Sequence, residues 1–176
     1  MSHKSKSMVA LLGFVLPVVS ASSAFAASVS WKDMVGVISA PGVNNPVGPN
    51  ISSGTFPWST QSGSAHVNLA SGAASFKVRG LVINGQIFSG TPGPVNAVEG
   101  TLVCNPGDAQ NEAIRDTPDV PIDGQGNAQF SGQIDGIPAM CANPVFLVRI
   151  ATINAQDPNA ARGAWIATGT QRTGKN

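Results

Sequence analysis

Tyrosine is absent from this 176-residue chain, cysteine and histidine occur twice each, and only 11% of the residues are charged. Ordinary domains carry roughly 25% charged residues. Each scarcity removes a class of function. His3 belongs to a leader segment, so His66 alone is left for chemistry, and no Cys/His cluster has the ligand spacing of a zinc site. Beyond the leader, eight basic residues (Lys32, Lys77, Arg79, Arg115, Arg149, Arg162, Arg172 and Lys175) stand against nine acidic ones. A net charge near −1 leaves no overall basic footprint for nucleic acid or an anionic membrane surface. No window carries a helical period flanked by capping residues, which argues against α and α/β folds.

What the chain does have begins with a leader. Lys4 and Lys6 give a positive start, Met8 to Val19 form an apolar segment, and Ala24-Phe25-Ala26 places small residues as a cleavage site requires. The expectation is a bacterial-type secretory signal over 1–26, cut after Ala26. The apolar segment falls short of the ~20 residues of a spanning helix and contains Pro17, so no membrane span is expected after cleavage. Residues 27–170 then suffice for one domain with a core of its own, followed by a polar tail over 171–176. In an exported chain Cys104 and Cys141 most simply form one disulfide. Closing that loop stabilises by roughly 3–4 kcal/mol in the chain-entropy model. The alternative is a pair of separate buried thiols.

The longest apolar run beyond the leader, Val145 to Ile153, reads as a central β-strand, since Val, Ile, Phe and Thr favour a pleated, half-buried surface. Val95 to Cys104, Ala128 to Ile134 and Gly163 to Gly169 read as further strands. Ser28 to Ile38 reads as the first, with Val29, Trp31, Val35 and Val37 on one parity. His66 to Leu69 and Ala74 to Ile83 follow, the latter with Phe76, Val78 and Val82 on one face. Asn84-Gly85 is a type I′ hairpin signal that predicts a return through Gln86-Ile87-Phe88. Glu112 to Ile122, interrupted by Pro118 and Pro121, suits an edge. A long loop or arm rich in Pro, Gly, Asn and Ser spans 41–64. About eight short strands spaced by turns predict an all-β, antiparallel sandwich of immunoglobulin-like architecture, with a barrel as the alternative.

Candidate chemistry is sparse. A nucleophile–His–acid set would have to use His66 with Ser62, Ser64 or Ser71, yet no Gly-x-Ser-x-Gly turn supports it. Asp123, Gln125 and Asn127 begin like a calcium loop, but Ala128 and Ile134 stand where Gly and Glu are required. Turn chemistry explains them better. Glycosidase action would need a carboxylate pair from Glu99, Glu112, Asp116, Asp119, Asp123 and Asp135, and no pair is singled out. The remaining candidates are Phe56 and Trp58. Held by Pro57 in the long loop, they make either a stacking platform for a sugar or partner, or a plug for one end of the sandwich. No catalytic residue, metal or cofactor is assigned.

Gly100 to Cys104 (GTLVC), Gly126 to Gly132, Cys141 to Arg149 (CANPVFLVR) and Trp165 to Gly169 (WIATG) resemble a group of small secreted bacterial β-proteins. The resemblance covers about Ala74 to Gly169. It implies export and a shared β core, and carries no catalytic or ligand residues. Chaperone-assembled pilins share size, low charge and one disulfide, but Cys104 lies mid-chain rather than in the first strand. The combined expectation is a non-catalytic protein, secreted or in the cell envelope. It would bind a surface glycan or protein, or associate with itself. A secreted hydrolase acting on glycans through exposed carboxylates is the alternative.

Overall fold

The computed structural model describes residues 28–40, 43–85, 87–153 and 163–172. The leader, the 157–161 loop and the end of the tail lie outside the described residues. Eleven strands are described: β1 (Ser28–Gly36), β2 (Trp58–Ser59), β3 (Ser62–Asn68), β4 (Ala73–Arg79), β5 (Val82–Ile83), β6 (Val95–Cys104), β7 (Ala113–Asp116), β8 (Val120–Pro121), β9 (Ala128–Gln133), β10 (Val145–Ile153) and β11 (Trp165–Arg172). Nine of them form one antiparallel sheet in the order β7-β6-β10-β11-β1-β3-β4-β9, with β8 beside β6, and β2 pairs with β5 in a small second sheet.

The large sheet curls until its two halves face each other. The ring of Phe146 on β10 lies 5.9 Å from Phe76 on β4 and 5.5 Å from Trp31 on β1, and Phe76 lies 6.1 Å from Phe130 on β9. Gly100 on β6 sits between the halves, where a Cβ would come within 2.6 Å of Phe146 and 2.7 Å of Phe76. The fold is therefore all-β and antiparallel with one disulfide. Its two packed layers are two halves of one continuous sheet, so the molecule is an open half-barrel with sandwich-like packing.

β10 is central as its composition requires. It pairs with β6 on one side and β11 on the other, and Phe146, Leu147 and Val148 are all fully buried although they alternate between faces. Burial on both faces explains why this run shows no polar alternation. The arm 43–57 contributes to that burial. Ser53 bridges to Trp165, the Trp165 indole donates to the Asn45 carbonyl at 2.7 Å, and Ile51 joins the core. At the arm's far side Asn50 Nδ2 donates to Glu112 Oε1.

Several expected features come out differently. Val35, assigned to the inward parity of β1, is 58% exposed, while Met34 is buried at 2%. The cause is a bulge between Lys32 and Val35, with Asp33 at a φ of 51°. One extra residue reverses the alternation, so Met34 follows Val29 and Trp31 into the core, while Val37, just past the end of the strand, is also buried. On β4 the alternation ends at Gly80 (φ 62°), after which Leu81 and Ile83, rather than Val82, are buried. Asn84-Gly85 does not start a strand return: Ile83 pairs with Trp58, Ile87 is 89% exposed, and the chain turns through Phe88 to Thr91. Likewise 171–172 belong to β11 rather than to a tail, and β2 and the first three residues of β3 (Ser62 to Ser64) fall within the 41–64 stretch assigned to the long loop.

Cys104 and Cys141 are bonded. The neighbouring Asn105 accepts from the Ala142 amide through Oδ1 at 2.9 Å, donates from its own amide to the Ala142 carbonyl, and donates from Nδ2 to the Asn111 and Met140 carbonyls. The disulfide and Asn105 thus clamp the end of β6 to the segment that leads into β10.

Candidate functional site

The loop aromatics occupy two different environments. Trp58 is 4% exposed, paired through β2 with Ile83 and packed in the core, whereas Phe56 is 38% exposed. The plug expected of this loop is therefore Trp58, and its buried ring offers no stacking face to a ligand. Only Phe56 retains an accessible edge.

The carboxylates are largely engaged in structure. Arg149 on β10 reaches Asp116 at 3.2 Å and Glu99 at 3.5 Å with the same nitrogen, and donates to the Gly163 carbonyl at 2.6 Å. The fully buried Thr101 completes the set by donating to Asp116 at 2.6 Å. This cluster joins β6, β7 and β10, with guanidinium and hydroxyl occupying the oxygens that chemistry would need. Glu112 is taken by Asn50 and the Gly107 amide. Asp123 accepts from the amides of Gln125 and Asn127 and from Asn127 Nδ2, each at 2.9 Å. Those bonds, led by the ones from Asn127, hold its pKa below the ordinary 3.8. Its oxygens close a turn and face their own loop. Among the described residues no group of three or more His, Cys, Asp or Glu is placed to hold a metal.

One surface stands apart from this. β1, β3, β4 and β9 each alternate strictly where they pair. Trp31, Ala65, Phe76 and Phe130 point inward, and their neighbours point out. Residues directly opposite in a ladder share a face, so the outward side chains line up in rows. One row runs Ser30, His66, Ser75, Ser131, and the next runs Lys32, Ser64, Lys77, Gln129. On the adjacent β11, Arg172 extends the first row and Thr170 the second. The rows floor a depression of about 620 Å³. A second depression of about 820 Å³, reaching past Arg79 to the 121–127 turn, shares Lys77 and Gln129 with it.

His66 finds its partner here. Its Nδ1 lies 3.0 Å from the Ser30 hydroxyl on the neighbouring strand, a pairing the sequence did not suggest, because 36 residues separate the two. The arrangement suits binding better than nucleophilic catalysis. No third group is placed to orient the imidazole among the described residues. The backbone amides of these inner strands are also spent on the ladders, which leaves no free pair of N–H donors for an oxyanion.

Among the described residues, the exposed cations gather on this half-sheet. Lys32, Lys77, Arg79 and Arg172 are exposed and belong to the strands of this half-sheet, and none forms an ion pair among the described residues. Across β1, β3, β4, β9 and β11 the single carboxylate is Asp33, at the bulge. A chain close to neutral overall thus carries one locally positive, hydroxyl-rich sheet face. Whole-chain charge could not reveal this, because the asymmetry arises only when strand register places the lysines together.

No protein-family model, no curated protein and no solved structure matches this chain.

Proposed function

We propose that the protein is an exported bacterial protein, released or retained in the cell envelope, with a non-catalytic binding role at the cell surface. The surface it uses is the outward face of β1, β3, β4 and β9. The observation that carries this reading is the face itself: two aligned polar rows flooring a broad depression, bearing free cations, on a rigid sheet rather than on loops. Rigid elements hold a binding constellation more accurately than mobile ones do. Support for export comes from the leader pattern over 1–26 and from a disulfide that suits an oxidising compartment. Binding is favoured over hydrolysis because four of the six candidate carboxylates, Glu99, Glu112, Asp116 and Asp123, are engaged in ion pairs, hydrogen bonds and turns.

The test is fractionation of producer cells followed by N-terminal sequencing of the recovered protein. The expected result is a chain beginning at Ala27, with both cysteines oxidised, in the envelope or the medium, and displaced from isolated envelopes when the face is altered by Ser64→Glu. A cytosolic chain with an intact leader and reduced thiols would overturn the proposal.

A further inference from the structure

Resting on that cell-surface role, we infer that the face formed by β1, β3, β4 and β9 takes a linear anionic polysaccharide, one bearing carboxylate or sulfate groups along its length. Three features of the face select this chemistry.

The first is the placing of the cations. Lys32 and Lys77 stand in one row, two strands apart, which sets their Cα atoms about 10 Å from each other. Arg79 lies two residues from Lys77 along β4, about 7 Å away and roughly at right angles to that row, so the cations trace a bent path. Charges at such intervals match acid groups recurring every second sugar better than they match a single small anion, which would need them convergent. The second is what lies between the cations. Ser30, Ser64, Ser75, Ser131 and Gln129 offer hydroxyls and an amide that both donate and accept, the complement of sugar hydroxyls. The third is that no Trp, Tyr or Phe stands among the outward residues of these four strands: Trp31, Phe76 and Phe130 border the depression from inward-facing positions, and His66 is the one ring in the rows. Neutral sugars are held chiefly by stacking on aromatic rings, and single-stranded nucleic acid needs the same platform. A face without one must draw its affinity from charge-assisted hydrogen bonds, and so requires an acidic chain. The two depressions meet at Lys77 and Gln129, and the second sets Arg79 beside Asp123, whose oxygens are taken up by Gln125 and Asn127, so an extended polymer can cross from one to the other along the Lys77–Arg79 side.

The experiment is affinity electrophoresis of the oxidised protein through gels containing dextran sulfate, polygalacturonate or uncharged dextran, with a single-stranded DNA oligomer as a further arm. Retardation by either acidic polysaccharide and none by dextran is expected, and whichever acts more strongly identifies the acid group. Lys32→Gln/Lys77→Gln should weaken binding by about tenfold or more, the loss of two charge-assisted contacts, while Lys32→Arg/Lys77→Arg retains it. Ser64→Glu on the face should abolish binding, whereas Gln110→Glu, an equal change of net charge on a distant turn, should not. Equal retardation by dextran, tighter binding to DNA than to both acidic polymers, or indistinguishable behaviour of Ser64→Glu and Gln110→Glu would overturn the inference. Protein held by producer envelopes but not by either acidic polymer would also overturn it while leaving the surface role standing. Polymer binding by a chain found only in the cytosol would have the opposite meaning.

Discussion

Gly100→Ala tests how the two halves of the sheet meet. Gly100 lies on β6 over the Trp31–Phe146–Phe76–Phe130 row, and an added methyl would fall 2.6 Å from Phe146 Cζ and 2.7 Å from Phe76 Cδ1. Both rings are buried, at 0% and 3% exposure, and each contacts another ring, so neither can step aside without disturbing the next. Overpacking of this kind costs about 1–3 kcal/mol, and displacing an aromatic pair adds about 0.5–1.5 kcal/mol. Against this, replacing glycine by alanine reduces the freedom of the unfolded chain, a gain of about 0.4–1 kcal/mol. The net is a loss centred on about 2 kcal/mol, within about 0.5–4 kcal/mol, and at its centre a fall in Tm of roughly 4–8 °C for a domain of this size. Thermal unfolding followed by near-UV circular dichroism reads it directly. Adding Phe76→Leu to Gly100→Ala should recover part of the loss, because the smaller side chain opens room for the methyl. A Gly100→Ala protein as stable as the parent would mean that β6 and β4 do not face each other across the core, and the half-barrel would be refuted.

Three other outcomes are expected. Replacing both cysteines by alanine removes a crosslink between residues 37 apart in sequence, worth about 4 kcal/mol in the chain-entropy model. Tm should fall by roughly 10 °C, with the native spectrum kept because Asn105 still holds the 140–142 segment; an unchanged Tm would contradict this. Trp58→Ala should cost about 3–5 kcal/mol in denaturant unfolding as a core truncation, while Phe56→Ala leaves the midpoint nearly unmoved; equal effects would refute their different burial. Asp123 has a folded pKa below 3.8, so its contribution is complete above the unfolded value and is lost as pH falls through the folded one. Asp123→Asn should therefore be less stable than the parent at pH 6 and converge with it toward pH 2. A gap in Tm that stays constant with pH would disprove the turn's dependence on the carboxylate.

The parts of this fold legible in the sequence were those where one strand's own composition decides the outcome. β10 announces itself by a long apolar run and β6 by an alternating one, and Cys104 and Cys141 had only each other. The parts that were not legible depend on pairing between distant strands. Nothing local in Lys32-Asp33-Met34-Val35 marks a bulge, and the positive φ of Asp33 accompanies a one-residue register shift against β11 that only the pairing reveals. Asn84-Gly85 carries strong turn chemistry, yet Ile83 finds its partner in Trp58, and tertiary pairing overrode the local hairpin. The candidate face is the same lesson at larger scale. Ser30, His66, Ser75 and Lys77 each read as outward from alternation alone, but only the ladders joining β1, β3, β4 and β9 place them in two rows.

The pairing of β1 with β11 bears on the order in which the molecule can be made. The strand that begins the described chain sits in the middle of the sheet, hydrogen-bonded to the last one through Ser30 and Arg172. A chain produced from its N-terminus can zip β1 to β3 and β3 to β4 early, but the other edge of β1 stays bare until β11 has emerged. Contacts so distant in sequence make for slow folding, and a bare edge is a template for strands of other molecules. Chains stopped anywhere before β11 are therefore expected to associate rather than to settle as smaller folded pieces. The eight residues of β11 close a vulnerability that the nine residues of β1 open.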